Sequence, residues 1–492
     1  MTNKGKVFNS VIYLAVGLLS RKIITLIFFT IITYAYNLKF VGSYFLLISF
    51  SGFLSYCLDF GLATYLERES SQDITKIARI FRETVILKCS LFIFILLFTF
   101  FGSFIFSYRF AWPILLLMLI TSLFDALSTS CYSVLRVSYK MQYEAFGMVF
   151  GRILMLLMGI VCATFKLDLF YVMFATFLNS IYIFCYGLIK VKKFVPLNLT
   201  FSKLSLLIDF KLKIFPIFAS SLFSKLLFID IFILSLNYSD EIIGIISIPI
   251  TFIRGIQFIP LAIMTAVFPA LSFFYIESKD KMSKLFDRSF HNLSLFILPY
   301  ATGLVCLSHE LIYLVFGSEH LKSVAPMKLL ALSIVPFFFN QVMGISLTAC
   351  TKEFLQMKIL IFCSVIHLTL SIIFIPIYGY YGICISYLAS QWTSFFFLMY
   401  FMIKEIDSST ISNLKLKTLK VLSASFVIAV TITQIHLNVF IEIAISIVLY
   451  TILIGCLLGF ENKRFNFNSA YGEWGRFLKK IIIPLINSKN IL

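Results

Sequence analysis

The sequence predicts an all-α polytopic membrane protein of about fourteen transmembrane helices. Three observations carry that expectation. Of the 492 residues, 60% are hydrophobic and only 13% charged, an apolar excess beyond that of soluble domains. Apolar runs of about 20 residues, the length a bilayer crossing needs, recur from one end to the other. Between them no stretch is long enough for a separate aqueous domain, which argues against chemistry that requires one. Basic residues, finally, gather at alternate breaks between the runs.

The first run, 8 to 36, follows Lys4 and Lys6. It is too long for a signal-peptide core and has no small-residue cleavage site, so it is expected to remain as the first span. It also carries Arg21 and Lys22. Arg21 lies about 15 Å past Val11, near mid-membrane, where its side chain cannot snorkel to water. The following spans are expected at 40 to 66, 80 to 107, 111 to 138, 141 to 165 and 168 to 190, completing an N-terminal lobe over 1–190. A cytoplasmic basic linker, 191–209, leads to a C-terminal lobe over 210–404. Its spans are 210 to 236, 240 to 275, 287 to 316, 323 to 350, 354 to 376 and 380 to 404. An extra helix pair, 418 to 437 and 439 to 459, fills 405–460. In the tail, 461–492, Tyr471, Trp474, Phe477, Leu478, Ile481 and Ile482 share one helical face. Arg476, Lys479 and Lys480 share the other, as in an interfacial helix on the cytoplasmic leaflet.

With the N-terminus inside, thirty cations fall on the inner side of this topology and five outside: Lys39, Arg109, Lys166, Lys322 and Lys328. That asymmetry places both termini in the cytoplasm. It accounts for the net charge of +18 without nucleic acid, since basic inner loops face anionic lipid. The ten cysteines lie in or beside apolar runs, with no C-x-x-C pair, and read as small apolar residues rather than disulfides or metal ligands. A weak internal repeat relates "SRKII" at 20 to 24 with "SKLLF" at 224 to 228, as expected for two related halves.

Six cations fall within spans: Arg21, Lys22, Lys88, Arg152, Lys225 and Arg254. Only Asp59, Asp125 and Asp230 lie well inside spans to meet them, with Glu144 near the inner end of the fifth. A charge at a span's centre costs about 3 kcal/mol even on lenient scales, so such residues face a bundle interior and mark function. One reading is mutual neutralisation, for example Arg152 with Asp125 or Lys225 with Asp59. The other is an electropositive cavity that takes an anion. In the fourth span Thr121, Ser122, Asp125, Ser128, Thr129, Tyr132, Ser133 and Arg136 share one arc, so that face meets water or polar partners. Small-residue packing explains the serines, whereas Asp125 favours a wet cavity. Arg21 shares a face with Gly17, Ser20 and Thr25, and Arg254 sits in a stripe with Ser247, Thr251, Gln257 and Thr265 where Pro249 and Pro260 can bend the helix. Arg21 and Arg254 are therefore the first candidates for substrate binding, with Lys225 and Arg152 behind them. Asp59, Asp125, Asp230 and Glu144 are candidates for ion coupling or charge pairing.

Five segments resemble a known family. "VGSYFLLISFSGFLSYCLDFGLATYLERESS" at 41 to 71 resembles the G-x-Y and D-F-G-L pattern of the bacterial polysaccharide flippases, the Wzx-type O-antigen and capsule translocases. Further similarities are "SKLLFIDIFIL" at 224 to 234, "FIPLAIMTAVFPALS" at 258 to 272, "FGSEHLKSVAPMKLLALS" at 316 to 333 and "IPIYGYYGICISYLAS" at 375 to 390. The resemblance implies the MATE-like superfamily fold: two six-helix lobes in a V around a central cavity, here with an extra helix pair. It implies a cargo, an undecaprenyl-diphosphate-linked oligosaccharide, moved from the inner to the outer leaflet of the bacterial inner membrane. By position it points again to Arg21 and Arg254. The partners it implies are the lipid bilayer, a polysaccharide polymerase, a chain-length regulator and a coupling H+ or Na+; no cofactor or metal is expected, and no enzymatic activity. A cation-coupled exporter of the same fold would favour a carboxylate-lined cavity, against the excess of buried cations here. A membrane polymerase or glycosyltransferase would favour acidic or long outer loops, yet the first outer loop, "NLKF", has no acid.

Overall fold

The computed structural model describes residues 3–105, 111–194, 229–406 and 416–427. The linker beyond residue 194, most of the seventh expected span with Lys225, most of the extra pair and the whole tail lie outside them. Among the described residues the chain is helical throughout, without strands. Ten helices among the described residues are long and apolar enough to cross a membrane, eleven if one bent pair counts as a span.

The chain divides into two compact units, Met1–Ser247 and Ile248–Leu492. The first contains α1 (Asn3–Ala35), α2 (Leu38–Asp59), α3 (Leu62–Gln72), α4 (Ile77–Ile105), α5 (Trp112–Val137), α6 (Met141–Thr164), α7 (Leu169–Phe194), α8 (Ile229–Asn237) and the first half of α9 (Asp240–Ile256). Asn37 starts α2 by accepting the Phe40 amide at 2.9 Å, and Pro113 opens α5 where its missing amide costs nothing. The span expected as one helix over 40 to 66 is two. Phe60 and Gly61 both adopt left-handed backbone, with φ of 50° and 76°, and turn the chain between α2 and α3. Glycine takes that conformation freely, and the D-F-G-L motif is this corner.

Small residues set the helix spacing in this unit. A Cβ on Gly17 would lie 2.6 Å from the Ala145 Cβ, and one on Gly159 would lie 2.4 Å from the Phe28 ring. Helices α1 and α6 thus run parallel in close contact, with Arg21 between those two points. At its far end Tyr36 donates to the Cys162 or Leu167 carbonyl, each 2.7 Å away. Helices α2 and α9 cross closer still. A Cβ on Gly42 would meet the Asp240 carbonyl at 1.7 Å, and one on Gly244 the Leu38 carbonyl at 2.1 Å, while the Ser43 hydroxyl donates to Asp240 at 2.6 Å.

The second unit completes α9 and adds α10 (Phe258–Glu277), α11 (Lys279–Cys306), α12 (Ser308–Phe316), α13 (Val324–Ala349), α14 (Glu353–Tyr378) and α15 (Tyr380–Ile403). The helix expected over 240 to 275 is interrupted at Gln257, between the two prolines, within a single candidate span over Asp240–Met264. Pro260 has no amide to return to the Ile256 carbonyl, so the ladder lapses there. The span expected over 287 to 316 bends by 72° between α11 and α12, where the polar Ser308, His309 and Glu310 interrupt the apolar run. Polar joints hold the rest: Asn340 donates to the Gln391 carbonyl at 3.0 Å, and the buried His367 meets Ser390 at 3.2 Å.

Candidate functional site

Arg21, Asp125 and Arg152 come together in the first unit from α1, α5 and α6, all three partly exposed though within spans. The Arg21 guanidinium has Met148 Sδ at 3.6 Å, and Arg152 has Met155 Sδ at 3.1 Å. Thioethers are weak acceptors, and the Arg152 Nε is buried without a partner. Among the described residues, the carboxylate in electrostatic reach of both arginines is Asp125, which the Ser180 hydroxyl of α7 also supports. Tyr44 of α2 lies within reach of Arg152. Among the described residues the two cations share that carboxylate, and the side-chain contacts their guanidinium groups show are to sulfur. A doubly charged, oxygen-rich anion would complement them bidentately.

The other charged candidates have different surroundings. Asp59 accepts from Lys88 at 2.6 Å, so its partner is a cation of α4. Glu144 is fully buried and accepts from the Arg136 Nε at 2.9 Å. The same guanidinium donates to Glu67 at 3.0 Å, and Glu67 accepts from Ser133 at 2.8 Å. These contacts join α3, α5 and α6. Position in the sequence marks Arg136 as an ordinary inner-loop cation, and only its place on the polar arc of α5 hints otherwise. That arc proves to be a row of joints rather than one wetted face. Ser122 meets Ser51 at 3.0 Å, Asp125 faces the arginines, Thr129 donates to Asp59 at 3.1 Å, and Ser133 and Arg136 hold Glu67.

Arg254 belongs to the second unit, partly exposed in the last turn of α9 beside the break. There Gln257 donates to the Tyr387 hydroxyl at 3.0 Å. Asp230 is buried in α8. Lys225 lies outside the described residues. No group of three or more His, Cys, Asp or Glu that could hold a metal occurs among the described residues.

A family model described as "Polysaccharide biosynthesis protein" matches residues 39–325. The chain belongs to this family. A comparison with curated proteins finds no match. Among solved structures, the family member resembles lipid II flippase MurJ in an inward closed conformation, at 16% identity and a TM-score of 0.76, over 91% of this chain and 98% of that one. It also resembles an inward-facing multidrug resistance MATE family transporter of the MOP superfamily, at 15% identity and 0.63, over 80% and 95%. A MOP superfamily transporter from Pyrococcus furiosus matches at 14% and 0.55, over 84% and 99%. The fold of the family member is therefore that of MurJ and MATE transporters, as the sequence motifs implied.

Ser180, which sequence reasoning missed, and Tyr44, the tyrosine of the G-x-Y pattern, complete the cluster of this family member. The signal for Ser180 was present: "NS" at 179 to 180 is the one strongly polar pair in the apolar run of α7.

Proposed function

We propose that the protein flips undecaprenyl-diphosphate-linked oligosaccharide units from the cytoplasmic to the outer leaflet of the bacterial inner membrane, by alternating access. The units would serve O-antigen, lipopolysaccharide or capsule synthesis, with polymerase and chain-length regulator acting downstream. The observation that carries this reading is the pair Arg21 and Arg152, held in mid-span on thioethers with Asp125 as their shared carboxylate among the described residues. A diphosphate loses much hydration on entering a membrane interior, and guanidinium groups replace part of it. Arg254 and Lys225 join Arg21 and Arg152 as proposed contacts to the diphosphate or to acidic sugars. Asp125 serves as the resting counter-ion, the role for which Asp59 and Glu144 are disfavoured by their own close cation partners.

The likeness to multidrug transporters supports a second reading, a cation-coupled exporter of the same fold. One experiment separates the two. Arg21→Gln with Arg152→Gln is expected to abolish surface polysaccharide and to accumulate lipid-linked oligosaccharide on the inner leaflet, at unchanged protein level. Normal polymer on such cells would overturn the flippase reading. Loss of resistance to organic cations with normal polymer would favour the exporter.

A further inference from the structure

Lys88 lies about 17 Å along α4 from Ile77, inside a span, and its side chain is fully buried. Its Nζ meets four oxygens. Asp59 Oδ1, the Ala126 carbonyl and Ser130 Oγ are each 2.6 Å away, and Thr129 Oγ1 is at 3.2 Å. An ammonium has three N–H groups, so the oxygens outnumber its donors. An ordinary ion pair needs only the carboxylate. Here a helical carbonyl and two hydroxyls, at positions 126, 129 and 130 on one face of α5, are added to it. One carboxylate with neutral carbonyl and hydroxyl oxygens is the donor set that hard cations take, and an ammonium is close to K+ in size.

The position of Asp59 explains the need for a cation. It is the last residue of α2, where the helix presents its own negative end, and a carboxylate there is doubly unfavourable. The left-handed corner at Phe60 and Gly61 fixes it in place. We propose that this oxygen cage is a monovalent-cation site which the chain fills with its own Lys88 ammonium, so that α2, α4 and α5 are tied together without a sodium or potassium ion from solution. A tethered ammonium is present at every salt concentration, whereas a free ion must be bound from solution and ordered. Asp59 keeps 18% of its side chain exposed, an entry path for an ion if the ammonium is removed. This site is independent of the cargo, so its test does not depend on the flippase reading.

The test is thermal unfolding of the purified full-length protein in detergent, in NaCl, KCl and choline chloride at equal ionic strength. Choline is too large for the cage. Lys88→Met keeps the hydrocarbon stem and vacates the ammonium position. Relative to wild type, this variant is expected to gain about 2 °C or more in Na+ or K+ over choline, saturating with concentration. Whichever ion acts at lower concentration is the better fit. The gain is expected to vanish in Asp59→Asn/Lys88→Met, which lacks the charge. If Lys88→Met does not survive purification in choline, the proposal requires that Na+ or K+ restore monodisperse protein. Equal behaviour of Lys88→Met in all three salts, or an equal gain in the double variant, overturns it.

Discussion

At the scale of single residues, the buried charges sort by what faces them. Glu144 is fully buried and depends on Arg136, which also holds Glu67. Removing the half-exposed Arg136 leaves the buried Glu144 without its hydrogen-bond donor, at a cost of about 1–3 kcal/mol. Arg136→Met is therefore expected to lower thermal stability by that order in detergent, with Arg136→Met/Glu144→Gln recovering part of it. An unchanged unfolding midpoint in the single variant would show that the triad is not structural. Outside the spans, Lys352 pairs with Glu405, and this hydrogen bond raises the ammonium above its usual range. A raised amine stabilises the fold while it is charged, so its contribution is whole below the usual lysine value near 10.5 and fades as pH rises through the folded value. The stability difference between wild type and Lys352→Met is thus expected to be constant from neutral pH to about pH 10 and to shrink above it. A difference that changes between pH 6 and 9 would contradict this. None of these pairings was legible in the sequence. Lys88 and Asp59 are separated by twenty-nine positions, Arg136 and Glu67 by sixty-nine, and hydropathy carries no information about which faces meet.

At the scale of helices, most expected boundaries that fall on the described residues agree with the structure within a few residues, because length and apolarity largely determine what crosses a bilayer. The breaks were the part that apolarity conceals. The corner at Phe60–Gly61 lies inside a run that stays hydrophobic on both sides, and the bend between α11 and α12 has neither proline nor glycine at Leu307. What the sequence does show at each is a local cause rather than a bend: Pro249 and Pro260 around Gln257, Gly61 at the corner, and Ser308, His309 and Glu310 at the start of α12. The crossing of α2 and α9 depends on two glycines at which the backbones touch. Gly244→Ala would drive a methyl into the Leu38 carbonyl, so the helices must separate, at a cost of about 1–3 kcal/mol. The expected result is a lower unfolding midpoint and loss of the Ser43 to Asp240 hydrogen bond, read as Ser43→Ala having no added effect in the Gly244→Ala background. Additive losses would show that the crossing tolerates the methyl.

At the scale of the whole molecule, the all-α class and the family were legible from composition, run length and five ordered motifs, and the comparisons establish both. The cation cluster was legible in part. Arg21, Arg152 and Asp125 were singled out because charge in a span is costly, but their convergence on α1, α5 and α6 depends on the small residues that bring α1 against α6. The proposed orientation has its own test. Single cysteines replacing Lys39 and Lys322 in a cysteine-free background are expected to react with a membrane-impermeant maleimide on intact spheroplasts. One replacing Lys193 should react only after lysis, and the reverse pattern would invert the topology. The central claim, that Arg21 and Arg152 hold a lipid diphosphate, is tested most directly by the affinity of the purified protein for undecaprenyl diphosphate. Each charge-assisted contact contributes about 1.5–3 kcal/mol, so Arg21→Gln and Arg152→Gln should each weaken binding by roughly 10-fold or more, with undecaprenol binding unchanged. Equal affinity of wild type and both variants for the diphosphate would contradict the account.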